Sequence, residues 1–200
     1  MKIIRCLLIL GILLLLPACA REILPPVTEY TLAPALRMPA SPAQHLSMSI
    51  KLSPIVASQV FSTTDLYYGE DDFSRNRYAY SRWEDTPVNM LQLVLQDGLE
   101  RSGLFQAVLP SSSMAEADAL LETTLFDFSQ HLQPDGGSVA VVRMRFYLMH
   151  EQGRLLASKE FESRVATRTT DAKGTVAAIN TAVANIVQDL ILWLPQVLGR

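Results

Sequence analysis

A thiol at Cys19, imidazoles at His45, His131 and His150, an arginine pair at Arg143 and Arg145, and the acidic run Glu70-Asp71-Asp72 are the groups whose types could support chemistry. Cys19 follows Leu16-Pro17-Ala18 at the end of an apolar run, where a thiol can serve as an acyl acceptor. The histidines show no HxxxH or HExxH spacing, so neither a zinc pair nor an oriented base is indicated. Gly-x-Ser-x-Gly, a phosphate-cradling glycine loop and Ser-x-x-Lys are all missing from the sequence. The acidic run lacks the glycine and terminal glutamate of a calcium loop and reads as a solvated turn. Arg143 and Arg145 lie two apart, so a strand would put both on one face. Such a pair could receive phosphate head groups, but cross-strand pairing with Asp127 or Glu160 is the preferred expectation, because opposite charges on facing strands attract. No catalytic, cofactor-binding or metal residue is assigned, and an enzyme is not expected.

Lys2 and Arg5 precede an apolar stretch from Cys6 to Leu16, broken only by Gly11. Its eleven residues, at about 1.5 Å of rise each, cover roughly half of a ~30 Å hydrocarbon core. That length suits a cleaved export signal better than a span. Leu16, the small Ala18 and Cys19 resemble the lipobox of bacterial lipoproteins. The resemblance implies cleavage before Cys19, with acyl chains such as palmitate on the thiol and on the new amine. Two or three such chains hold a protein on a bilayer where one binds marginally. The alternative is an A-x-A site at Ala18-Cys19-Ala20, cut by the general signal peptidase to give a soluble chain from Arg21.

Removing residues 1–18 takes Lys2 and Arg5 but no acid, leaving 182 residues and moving the formal charge from −3 to −5. A mildly acidic chain does not suit nucleic acid, whose recognition needs basic patches. One domain suffices for this length. Cys6 leaves with the signal, so Cys19 is the lone mature cysteine, and neither a disulfide nor a thiol metal motif can form. The expected division is a lipoprotein signal peptide over 1–18, a lipid anchor with a proline-rich tether over 19–44, and a folded domain over 45–200. Pro25, Pro26, Pro34, Pro39 and Pro42 make the tether extended, with an irregular surface loop as the alternative.

Several elements must position whatever this domain does. Tyr30-Thr31-Leu32 is a short edge-strand candidate closed by Pro34. Leu46, Met48, Ile50 and Leu52 alternate with polar residues, the period of a half-buried strand. Asp65 to Gly69 and Arg77 to Trp83 read as tyrosine-rich strands around the acidic turn. Thr86-Pro87 caps and starts a helix whose stripe is Val88, Leu91, Leu95 and Leu99, and Gly103 ends it. A strand follows over Leu104 to Leu109. Ala119 to Phe128, Ser138 to His150 and Arg154 to Thr167 then form an antiparallel meander, with glycine-bearing turns at 134–137 and 151–154. A last amphipathic helix runs from about Thr175 to Leu194, with Asp171 at its start and Pro195 as its stop. Its polar face has no lysine or arginine, so a sheet is a better partner for it than a membrane. The expected fold is α+β, a mostly antiparallel sheet with two long helices packed on one face.

Together, Tyr30-Thr31-Leu32, the segment from Tyr78 through Arg82-Trp83 to Thr86-Pro87, Ser102-Gly103-Leu104-Phe105, Ala117-Asp118-Ala119-Leu120 and the final Asp189-Leu190-Ile191-Leu192-Trp193-Leu194 resemble the ABC-type transport auxiliary lipoproteins of Gram-negative envelopes. The resemblance spans nearly the whole mature chain, and Tyr-x-x-x-Arg-Trp-x-x-x-Pro is its most specific part. It implies a periplasmic component anchored in a lipid bilayer through acylated Cys19. Its partners would be an MCE-domain protein and an inner-membrane ABC permease and ATPase, which move lipids or other apolar molecules between membranes. Ala20 stands where many inner-membrane lipoproteins carry aspartate, which favours the outer membrane. Arg82 and Trp83 are the candidate partner contact, with packing beneath the first helix as the preferred alternative. A homo-oligomer is compatible with this reading. The rival from another class is a structural or assembly lipoprotein serving outer-membrane barrel or lipopolysaccharide machinery.

Overall fold

The computed structural model describes residues 24–37, 45–71, 73–150 and 152–199. The signal, Cys19 and tether residues 20–23 and 38–44 lie outside those residues. The elements in order are β1 (Thr28–Tyr30), β2 (Leu46–Leu52), β3 (Val56–Ala57), a 3-10 turn (Gln59–Ser62), β4 (Asp65–Gly69), β5 (Asn76–Trp83), α1 (Pro87–Ser102), β6 (Phe105–Leu109), β7 (Ala119–Leu132), β8 (Ser138–His150), β9 (Leu155–Ala166) and α2 (Ala172–Leu198).

β7 is the spine. It has fourteen residues, roughly 45 Å at about 3.3 Å each. One edge pairs antiparallel with β8 along its whole length, and β8 pairs antiparallel with β9. The other edge takes three short parallel strands in succession: β2 at Ala119 to Leu121, β3 at Thr124 and Leu125, and β4 at Gln130 and His131. β6 then adds to β2 in parallel, while β5 adds antiparallel to β4 and β1 parallel to β5. The class is α+β, but the sheet is mixed instead of mostly antiparallel. Tight turns give the antiparallel ladders, whereas the parallel pairings join strands separated by α1 or by long connections, which sequence alternation does not report.

The helices form where local chemistry dictates. Thr86 accepts a hydrogen bond from the Asn89 amide at 3.3 Å, Pro87 opens α1, and Gly103 ends it with φ of 64°. Asp171 caps α2 by accepting from the Gly174 amide at 2.8 Å, and this bond, with one from the Thr169 hydroxyl, holds its carboxyl below the usual range. Pro195 does not stop α2, which runs on to Leu198. Proline lacks its own amide donor but leaves later residues free to stay helical, so one missing bond in the last turns is tolerated. α2 is long and apolar enough to cross a bilayer by length and composition, yet Ile179, Val183, Ile186, Leu190 and Leu194 are buried in the core.

Both helices share one core with the sheet. Val142, Met144, Phe146 and Leu148 of β8 point into it, as do Leu121 and Leu125 of β7. Beyond Leu125 the register with β8 slips by one residue, so Phe128 and Gln130 continue the buried side while Asp127, Ser129 and His131 take the other face. The edge strand is Thr28–Tyr30, two residues earlier than the Tyr30-Thr31-Leu32 candidate closed by Pro34. After it, residues 31–37 form a strap over the helices. Leu32 is buried, the Ala33 amide donates to Asn180 Oδ1 at 2.7 Å, and Leu36 lies against α1 at Gly98. Part of the segment expected as free tether is therefore packed on the body.

At the crossing of α1 and α2 a β-carbon on Gly98 would sit 2.7 Å from Val187 Cγ1, and in the first turn of α2 one on Gly174 would sit 2.2 Å from the Thr169 carbonyl oxygen. Gly98→Leu should destabilise the domain by about 1–3 kcal/mol through overpacking. Gly174→Ala should destabilise it because the Thr169 backbone cannot yield; urea unfolding midpoints check both, and unchanged midpoints would show that the crossing at Gly98 and the start of α2 at Gly174 are loose.

Candidate functional site

Four arrangements of polar side chains stand out, three built on strands and one along α2. The first is Asp127, Ser129 and His131, brought to one face of β7 by the register slip. Asp127 is 7% exposed and accepts from Ser129 Oγ at 2.5 Å, with His131 Nε2 at 2.9 Å and Arg75 Nη1 at 3.9 Å. Burial pushes its carboxyl up, but the bonds from His131 and Ser129, with the charges of His131 and Arg75, outweigh that and hold it below the usual range. These three types suggest a hydrolytic triad, but the geometry does not. Carboxylate and hydroxyl both meet the same imidazole nitrogen, and the Ser129 proton is committed to Asp127. Ser129 is also buried from any substrate. The cluster fastens the base of the loop between β4 and β5, through Arg75, to the spine.

The second arrangement is Arg143 and Arg145. Arg145 pairs with Glu160 at 2.7 Å, and Arg143 pairs with Glu160 at 3.4 Å and Glu162 at 3.9 Å. Both guanidinium groups also lie over the Phe126 ring, at 5.0 and 5.3 Å from its centroid. Asp127 is the register partner of Arg143 but turns to His131 and Arg75 instead. The pair is thus satisfied within the sheet and presents no vacant phosphate cradle. The third is a polar chain inside the fold, in which the Tyr78 hydroxyl donates to Gln130 Oε1 and Gln130 Nε2 donates to Ser138 Oγ at 2.7 Å. Burial pushes the Tyr78 hydroxyl up. The fourth is a shallow groove of about 770 Å³ across the outer side of α2, lined by Ala33, Arg37, Asn180, Ala184, Asn185 and Gln188 among others. Acidic and basic groups share it, and it is open to solvent.

Trp83 is 1% exposed, tilted against Phe128 at 5.3 Å between ring centroids. It is part of the core. Arg82, on the opposite face of β5, is half exposed and bonds Glu29 of β1 through Nη2 at 2.5 Å and Nε at 3.1 Å. His45 Nδ1 lies 3.0 Å from the Gly103 carbonyl, at the carboxyl end of α1. In the acidic turn, Asp71 Oδ1 accepts from the Phe73 and Ser74 amides at 2.8 and 2.6 Å, which holds its carboxyl low. Among the described residues no group of three His, Cys, Asp or Glu is placed to hold a metal ion. Sequence reasoning missed the Asp127 cluster. Its signal was the alternation Asp-x-Ser-x-His on a strand, hidden because the slip after Leu125 reverses which residues face inward.

A family model for the ABC-type transport auxiliary lipoprotein component matches residues 30–190, from β1 to the middle of α2. The chain belongs to this family. No curated protein matches the sequence. A crystal structure of a Xanthomonas campestris protein is similar at 21% identity, covering 84% of this chain and 94% of that one with a TM-score of 0.75. A second, a crystal structure of an uncharacterized protein, is similar at 13% identity, covering 85% and 99% with a TM-score of 0.68. Both show that the fold recurs. The family is described as a transport auxiliary component.

Asp127→Asn should cost about 2 kcal/mol at pH 7, since it removes a buried charge and leaves Arg75 and His131 without their partner. A depressed carboxyl adds stability above its unfolded pKa and loses it as pH falls through its lower folded value. The gap between native and variant in urea midpoint should therefore close below about pH 4; a gap that persists there would show that the loss is steric.

Proposed function

We propose that this protein is a non-catalytic docking component of an MCE-type ABC transport system, anchored to the periplasmic side of the outer membrane through acylated Cys19. The family match over residues 30–190 carries the reading. The apolar run ending in Leu16-Pro17-Ala18-Cys19 supports the anchor, and Ala20 supports the outer membrane as its place. In this reading an MCE-domain protein, working with an inner-membrane permease and ATPase, passes lipid or another apolar molecule to or from this body. The body makes and breaks no bond. Arg82 belongs to the surface offered to that partner, since Glu29 beside it holds its guanidinium in place at the exposed β1–β5 edge.

Intact mass of the membrane fraction should show a chain beginning at Cys19 with acyl groups attached. Cys19→Ala should release the protein to the periplasm and abolish the transport that depends on it. Crosslinking in the native strain should capture an MCE-domain protein, whereas capture of barrel-assembly proteins would replace this reading with an assembly role. Arg82→Ala should weaken that crosslink while changing stability by less than about 1 kcal/mol, as expected for an exposed ion pair. Trp83→Ala should cost about 3–5 kcal/mol in unfolding free energy, because it empties the core.

A further inference from the structure

Strand direction fixes which end of the body faces its own amino terminus. β4 runs parallel to β7 and ends beside Gln130 and His131, and β5 starts opposite Tyr68 at Asn76. The β4–β5 loop and the turn after Leu132 therefore share one end of the sheet. β1 runs parallel to β5, with Thr28 beside Ser81 and Tyr30 beside Trp83. The chain thus reaches Thr28 from that same end. Five residue steps separate Leu24 from Cys19, at most about 18 Å of fully extended chain.

That end carries apolar side chains that stay open to solvent: Phe73 is 99% exposed and Leu24, toward which the chain runs back from Thr28, is 63% exposed. The loop that presents Phe73 is held from behind. Asp71 grips the Phe73 and Ser74 amides, and Arg75 lies against Asp127 and over the Phe61 ring at 5.2 Å. A braced loop that holds an aromatic ring in open solvent gains only if something apolar meets it.

We propose that this end of the domain seats on the lipid bilayer that holds Cys19, with Phe73 entering the boundary between head groups and acyl chains. The proposal rests on the reading that Cys19 is acylated. Glu70 and Asp71 precede Phe73, and the arginines that follow it are paired, Arg75 with Asp127 and Arg77 with Asp65, so the matching surface is zwitterionic and an anionic one is disfavoured. The tether makes the contact intramolecular, so a contact too weak to recruit a free protein is populated once the acyl chains are inserted. Seating would stand β7 away from the membrane and present the opposite end, with the 110–118 loop and its 97% exposed Met114, to the periplasm.

The test uses the mature acylated protein in vesicles of phosphatidylcholine and phosphatidylethanolamine containing a spin-labelled quencher lipid. Phe73→Cys and Met114→Cys are each labelled with an environment-sensitive dye; acylated Cys19 leaves no other thiol in the chain. Dye at position 73 should emit at shorter wavelength and be quenched at least about twofold more than dye at 114, and anionic lipid should reduce the difference. Equal, water-like emission at both positions in chains whose mass includes acyl groups would overturn the seating and leave the anchor standing. Stronger quenching at 114 would overturn it by placing the other end on the membrane. A chain with no acyl mass would overturn seating and anchor together.

Discussion

The backbone of β7 is the constraint on which the rest of the structure depends. A strand of fourteen residues in the middle of a sheet exposes polar groups along two edges, and each must find a partner. β8 satisfies one edge in a single continuous ladder. No single segment satisfies the other, which is shared among β2, β3 and β4. Splitting that edge divides the sheet into two wings, with β2 and β6 toward one end of β7 and β4, β5 and β1 toward the other. The helices cover the face where the side chains of both wings meet.

The same division explains why the interior is apolar under the helices and polar near one end of the spine. Where β7 stays in phase, Leu121 and Leu125 join the apolar core that both helices share with the sheet. Past the slip, Gln130 faces inward and needs Tyr78 and Ser138 to satisfy its amide, while Asp127 needs Ser129, His131 and Arg75 on the other side. Among the described residues no buried side-chain nitrogen or oxygen is left without a partner. Side chains fully engaged in this way fix a shape.

Much of this was legible in the sequence. Thr86-Pro87 and Gly103 mark the ends of α1 because capping is a local event, and the turns at Gly136 and Gly153 show because positive φ selects glycine. The inward face of β8 follows from a period of two. What could not be read is non-local or depends on phase. The parallel joining of β2, β3 and β4 to β7 leaves no trace in any of those segments alone, and a one-residue slip after Leu125 changed the meaning of five residues downstream. Pro195 misled because proline's missing donor and its ring's clash with the carbonyl four residues back act on the preceding turn, and the residues after it can still stay helical to Leu198. Of the Arg82-Trp83 pair, strand alternation alone puts one residue inside and one outside, and only packing against Phe128 reveals which.

The attachment of β1 has a mechanical consequence. Because β1 lies parallel to β5, a load on the amino-terminal side, directed along the strand axis, strains its ladder bonds simultaneously in shear instead of peeling them one after another. Behind that ladder, Leu32 and Leu36 wedge the strap into the helix layer, so rupture would also have to extract them. A body hauled by its leash would thus rotate to align with the force before it came apart.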